Sequence, residues 1–228
     1  MKLFHERLLD EIAAERRRLS RRGVLTGSLK LAGGAALAMS LPTFPSIRNL
    51  VAAQELMSDL DVLNYALTLE HLEYAFYRDG VGLFTFGNDT RGQSIDANLA
   101  AVRDHEGAHV ETLTTVITDL GGEPAAEATY DFGGAYGDPT AFLATAQALE
   151  NTGVSAYDGA GQFLENAELL TAAGSIVAVE ARHASYLNLL NGVLPFPDAF
   201  ETPLSPEEVL EIAGPFIVSG DAAATPAA

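Results

Sequence analysis

The chain contains no cysteine and no tryptophan, and its only two lysines, Lys2 and Lys30, lie near the start. Without cysteine there can be no disulfide and no thiolate metal site, so any bound metal must be held by Glu, Asp, His or Tyr. Positive charge is scarce beyond residue 53. Residues 54–228 carry 27 acids against Arg78, Arg91, Arg103 and Arg182, a balance of −23. Such a surface repels nucleic acid and anionic membranes. It also repels itself in dilute salt and is screened in strong salt. A lysine-free acidic exterior fits a protein of a salt-loving organism, and equally an ordinary acidic secreted protein. Long β-branched runs are missing as well, and no stretch alternates as a strand would.

The basic residues are concentrated at the front. "SRRGVL" at 20–25 is followed by the apolar, small-residue run "LAGGAALAMSLP" and by Pro42 and Pro45. This pattern is that of a twin-arginine export signal. Lys30 and several glycines interrupt the apolar run, which disfavours a stable membrane span. Residues 1–53 are therefore read as an export signal and leader, with "LVAAQ" at 50–54 as a candidate cleavage region. The mature chain would be periplasmic, cell-surface or extracellular.

The remainder reads as all-α. Ser58 opens a helical stripe that stops at Gly80–Gly82, and a second helix spans about 94–120 before Gly121–Gly122. Asp138–Pro139 pairs a cap with a first-turn proline and starts a third helix, expected to reach about Asn166. A fourth follows with almost no linker and ends before Gly192 and Pro195. These form two helical hairpins joined by a crossover of about 17 residues, the arrangement of a four-helix bundle spanning 54–195. Residues 196–218 form an extension with one short helix, opened by Ser205 with Glu208 three residues on. The Ala/Thr/Pro tail, 219–228, is expected to be disordered.

Glutamate and histidine recur at a helical spacing. "EGAH" at 106–109 and "EARH" at 180–183 each set a Glu and a His three residues apart, on nearly one helix face. The first helix offers Glu70 with Tyr77 seven residues later, and the third offers Glu150 with Tyr157 at the same interval. At about 1.5 Å rise per residue, Glu70 and Glu106 fall within about 5 Å of one level in an antiparallel hairpin, and Glu150 and Glu180 do likewise. Four carboxylates cannot stay ionised in a dry core without counter-charge. Two dications cancel them, so the pattern calls for a dinuclear centre. The first-helix ligand is Glu70 or Glu73, one turn apart, and the spacing to Tyr77 and the depth favour Glu70. His105 is read as flanking the site or lying at the surface, His71 as lying on a helix seam or exposed, and Tyr157 and Tyr186 as core aromatics. Gly107 and Gly153 permit close approach near the site, and Arg182 points outward.

With these residues in view, the chain resembles the ferritin-like superfamily of di-metal carboxylate proteins, over about residues 55–218. "LNYALTLEHLEYAFY" and "PFPDAFETPLSPEEVL" are similar in character to its exported, desiccation-related branch. The resemblance implies that Glu106 and Glu180 bridge two iron or manganese ions, with Glu70 and Glu150 terminal and His109 and His183 binding one ion each. It also implies a catalytic role for Tyr77, and O₂ or H₂O₂ as reactant in ferroxidase, peroxidase or catalase-like chemistry. A non-catalytic stress protein with a structural metal is the alternative, and a homo-oligomer is possible in either case. Unlike many such sites, the chain places no aspartate to orient either imidazole: His105 precedes Glu106 and Val179 precedes Glu180.

Overall fold

A computed structural model describes residues 58–218. The export signal and leader at 1–53 and the tail at 219–228 lie outside them. Helix α1 covers Asp59–Gly80, α2 Ile95–Asp119, α3 Pro139–Gly161, α4 Ala167–Leu190 and α5 Pro206–Ala213. Each start is written in the sequence. Ser58 accepts from the Asp61 amide while the Asp61 carboxylate accepts from the Ser58 amide, and Ser205 and Glu208 repeat that box at α5. Ser94, Asp138 and Asn166 cap α2, α3 and α4 with side-chain oxygens on free amides. No helix among the described residues is long and apolar enough to cross a membrane.

α1 packs along α2, and α3 along α4, with α1 against α3 joining the two hairpins. α1 is the most enclosed element, buried almost from end to end. At its Gly80 end, Phe76 stacks on Phe142 and Tyr136 and meets Phe132 and Tyr77 edge-on, giving an aromatic plug that closes one end of the core. At the other end Leu63, Leu67, Leu113, Ile117 and Ile176 fill the interior.

Two details depart from expectation. α3 stops at Gly161, short of Asn166; a turn follows, and Asn166 serves as the cap of α4 instead. The crossover holds a two-residue strand, Thr129–Tyr130, paired antiparallel with Ile217–Val218 after α5. The C-terminal extension is thereby tied to the crossover, and it is fastened to α3 as well. The Leu204 amide donates to the Ser155 carbonyl at 3.0 Å, and the Ser155 hydroxyl donates to Glu201 at 2.7 Å. Gly159 makes this crossing possible, because a Cβ there would sit 1.8 Å from the Leu204 carbonyl oxygen. Backbone cannot yield as a side-chain tip can. Gly159→Ala is expected to cost about 3 kcal/mol, read as a lowered midpoint in urea unfolding.

Candidate metal centre

The six side chains named from spacing meet in the middle of the bundle. Glu70, Glu106, Glu150 and Glu180 are fully buried, His183 is buried, and His109 is nearly so. They fall into two groups of converging donor atoms: Glu70, Glu106, His109 and Glu180 in one, and Glu106, Glu150, Glu180 and His183 in the other, each within 4.8 Å. Glu106 and Glu180 belong to both. Each helix contributes through the face its periodicity turns inward, so the two hairpins supply equivalent halves around the shared pair.

The contacts inside this cluster are close and poorly satisfied. His183 Nδ1 lies 3.0 Å from Glu106 Oε1 and 3.2 Å from Glu150 Oε2, yet these three atoms have no acceptable hydrogen bond. Both Glu180 oxygens are also buried without one, although His109 Nδ1 is 3.0 Å from Oε1. Buried polar atoms are nearly always partnered. Atoms crowded together yet misaligned for one another have lone pairs that converge on the space between them, which is how ligands of a cation are arranged. The residues present fit a pair of metal ions, and an all-oxygen and imidazole set suits iron or manganese.

Electrostatics agree. Burial raises Glu106 to about 7 despite His109 and His183, and burial with the Glu150 charge raises Glu180 to about 8. Burial alone would lower both imidazoles. The carboxylates of Glu106, Glu180 and Glu70 override it at His109 and lift it to about 12, and those of Glu106 and Glu150 lift His183 to about 10. Without metal, protons supply the missing positive charge.

Around the donors stands a set of orienting groups. The Tyr77 hydroxyl donates to Glu150 Oε1 at 2.6 Å, and the Tyr157 hydroxyl donates to Glu70 Oε1. Each tyrosine therefore fixes a glutamate of the opposite hairpin. Tyr157 was expected to be a core aromatic with a satisfied hydroxyl; its partner is a donor of the centre, which makes it the counterpart of Tyr77. Tyr186 instead accepts from Asn98, away from the cluster. His71 donates to the Ala125 carbonyl of the crossover, and Arg182 is exposed.

His105 does for His183 what an aspartate commonly does. Its Nδ1 lies 2.9 Å from His183 Nε2, with ring planes within 12° and centroids 5.2 Å apart, so the rings lie edge to edge along the hydrogen bond. Burial and the charge on His183 lower the His105 pKa, which favours His105 Nδ1 as the acceptor of a proton on His183 Nε2. His183 Nδ1 is thus left facing the centre. Sequence spacing could not show this pairing, because His105 and His183 are on different hairpins. Val179 holds the corresponding place for His109. His105→Ala is expected to weaken metal binding about 10- to 100-fold in a competition titration with a chelator, chiefly for one of two ions.

Of the two alternatives on α1, Glu70 lies in a donor group and Glu73 in neither. Glu73 is nonetheless 3% exposed and turned inward. Gly107 lets Tyr74 of α1 pack close, while Gly153 faces Glu73.

Four helices with one crossover, each giving a carboxylate to a common point and two adding a histidine, define a bundle whose core gathers groups that could hold metal. The model of the ferritin-like domain matches residues 58–192, more than half the chain, and the chain belongs to that family. A comparison with curated proteins found no match.

Proposed function

We propose that this protein binds two iron or manganese ions between Glu106 and Glu180 and uses them to reduce a small oxidant, O₂ or H₂O₂. The observation that carries the reading is the sharing of those two glutamates by both donor groups. A pair of redox-active ions held by Glu70, Glu106, His109, Glu150, Glu180 and His183 would supply the two electrons that reduction of an O–O unit needs. The protein's part is placement. Glu70 and Glu150 are held from behind by Tyr157 and Tyr77, and His183 by His105, so the donors enter the reaction already oriented. Tyr77, fully buried with its hydroxyl oxygen 2.6 Å from Glu150 Oε1, is the group positioned to hand a proton inward.

An apolar cavity bordered by Tyr157 supports O₂ over H₂O₂ as the oxidant. A cavity of about 40 Å³ lies between the helices, lined by apolar groups including Leu63, Ala66, Leu113, Ala173 and Ile176, with Tyr157, which donates to Glu70, among its lining residues. A dry apolar chamber admits an apolar diatomic and disfavours a polar peroxide. The acidic exterior supports an exported stress protein acting in strong salt, as the front-end "SRRGVL" does. The same exterior would serve a desiccation protein whose metals are only structural. Anaerobic loading with Fe²⁺ or Mn²⁺ followed by exposure to O₂ and, separately, H₂O₂ separates the two. Oxidation of the bound ions, with consumption of the oxidant in stoichiometric or greater amount, supports the proposal. Ions retained unchanged under both oxidants leave the structural role.

A further inference from the structure

The two hairpins are related residue by residue. Glu70 corresponds to Glu150 and Tyr77 to Tyr157, eighty positions on in each case; Glu106 corresponds to Glu180 and His109 to His183. Besides His105, matched by Val179, one break falls among the inward-facing acids. Glu73 of α1 is matched on α3 by Gly153.

That break has a steric cause. A Cβ on Gly153 would lie 2.8 Å from Glu73 Oε1 and 3.5 Å from its Cδ, so the Glu73 carboxylate fills the space that a side chain on α3 would need. A glycine inside a helix is unfavourable for the backbone. Here it opens a seat for one carboxylate, where two symmetric ones would collide. Glu73 is 3% exposed. The charges acting on it, after burial, are those of Glu180, Glu150, Glu106 and Glu70, which all raise its pKa. Its carboxylate lies over Gly153, one turn along α3 from Glu150 and one turn along α1 from Glu70, while standing outside both donor groups.

We propose that Glu73 is a fifth carboxylate of the metal centre, seated over Gly153, and that it sets the charge preference of the site in favour of trivalent over divalent ions. The inference rests on the two-metal reading above. Four carboxylates neutralise two dications. A fifth adds an uncompensated negative charge that a more highly charged pair relieves, and in a water-poor core that charge is weakly screened. The protein thus holds the oxidised pair more tightly than a four-carboxylate centre would, and Glu73 is a specificity-determining residue for the charge state of the ion.

The test uses the full metal-free chain with Mn²⁺ and, as a redox-inert trivalent probe, Tb³⁺, whose emission is sensitised by nearby tyrosine. Glu73→Gln keeps the shape and removes the charge. The expected result is Mn²⁺ affinity within about threefold of the parent, and a Tb³⁺-to-Mn²⁺ affinity ratio lowered at least about tenfold. Gly153→Ala, which keeps the charge but pushes the carboxylate aside, should lower the ratio in the same direction by less. Circular dichroism confirms that each variant is folded. An unchanged ratio in folded Glu73→Gln overturns the proposal. An equal loss of both ions also overturns it, because Glu73 would then be an ordinary ligand. If the parent chain itself binds no Mn²⁺, the two-metal reading has failed and the inference falls with it.

Discussion

Glu180→Gln is expected to abolish binding of both metal ions and, in the metal-free protein, to raise stability. Glu180 lies in both donor groups, so its loss takes a ligand from each ion at once. Affinity should drop on the order of a thousandfold, the scale of breaking a buried charged interaction. The stability effect has the opposite sign. Burial and the neighbouring Glu150 charge move this carboxyl from 4.5 to about 8. Near neutral pH that shift costs the metal-free fold about 3 kcal/mol, which an amide of the same shape does not incur. Glu106→Gln should behave alike with a smaller gain, since Glu106 is raised only to about 7. Chelator-treated protein compared by thermal unfolding, and metal-loaded protein by elemental content, give the two readouts. A variant that keeps its metal, or is destabilised when metal-free, contradicts the assignment.

Removing the metal should also change the sign of the pH dependence. In the folded metal-free protein Glu106 and Glu180 hold protons up to about 7 and about 8, whereas the unfolded chain releases them near 4.5. His183 and His109 hold theirs to about 10 and about 12, against 6.5 when unfolded. Each of the four groups binds more protons folded than unfolded over part of the interval and none binds fewer, so stability falls as pH rises from about 5 to about 9. The carboxylates contribute the lower part of that decline and the imidazoles the upper part. Metal ions require those protons to leave, so their affinity and the stability they confer increase over the same interval. Melting temperatures taken through the range with chelator, and again with saturating Mn²⁺, should diverge as pH rises. Parallel curves would mean that the ions are bound elsewhere.

Much of this was legible because helices announce themselves locally. Ser58, Ser94, Asp138 with Pro139, and Ser205 with Glu208 mark starts through bonds made within three residues. The paired Glu-x-x-His spacing needs only helical geometry to bring ligands onto one face. What stayed hidden depends on neighbours across the bundle. The two-residue strand pairing of the crossover with Ile217–Val218 is too short for alternation to register. His105 seats His183 from another hairpin, and Tyr157 reaches Glu70 from α3. The end of α3 at Gly161 was missed because the helical pattern of its apolar residues continues past the point where the chain turns. Gly153 invited a reading as a close-packing residue; only the packed helices show that it makes room for a glutamate.

The account depends on one physical event, two cations replacing the protons trapped among buried acids. Anomalous diffraction from crystals of Mn²⁺-loaded protein, collected at the manganese edge, addresses it directly. Two adjacent peaks per chain are predicted, both flanked by Glu106 and Glu180, one beside Glu70 and His109 and the other beside Glu150 and His183. A core without peaks, or manganese held only by the acidic exterior, would contradict it.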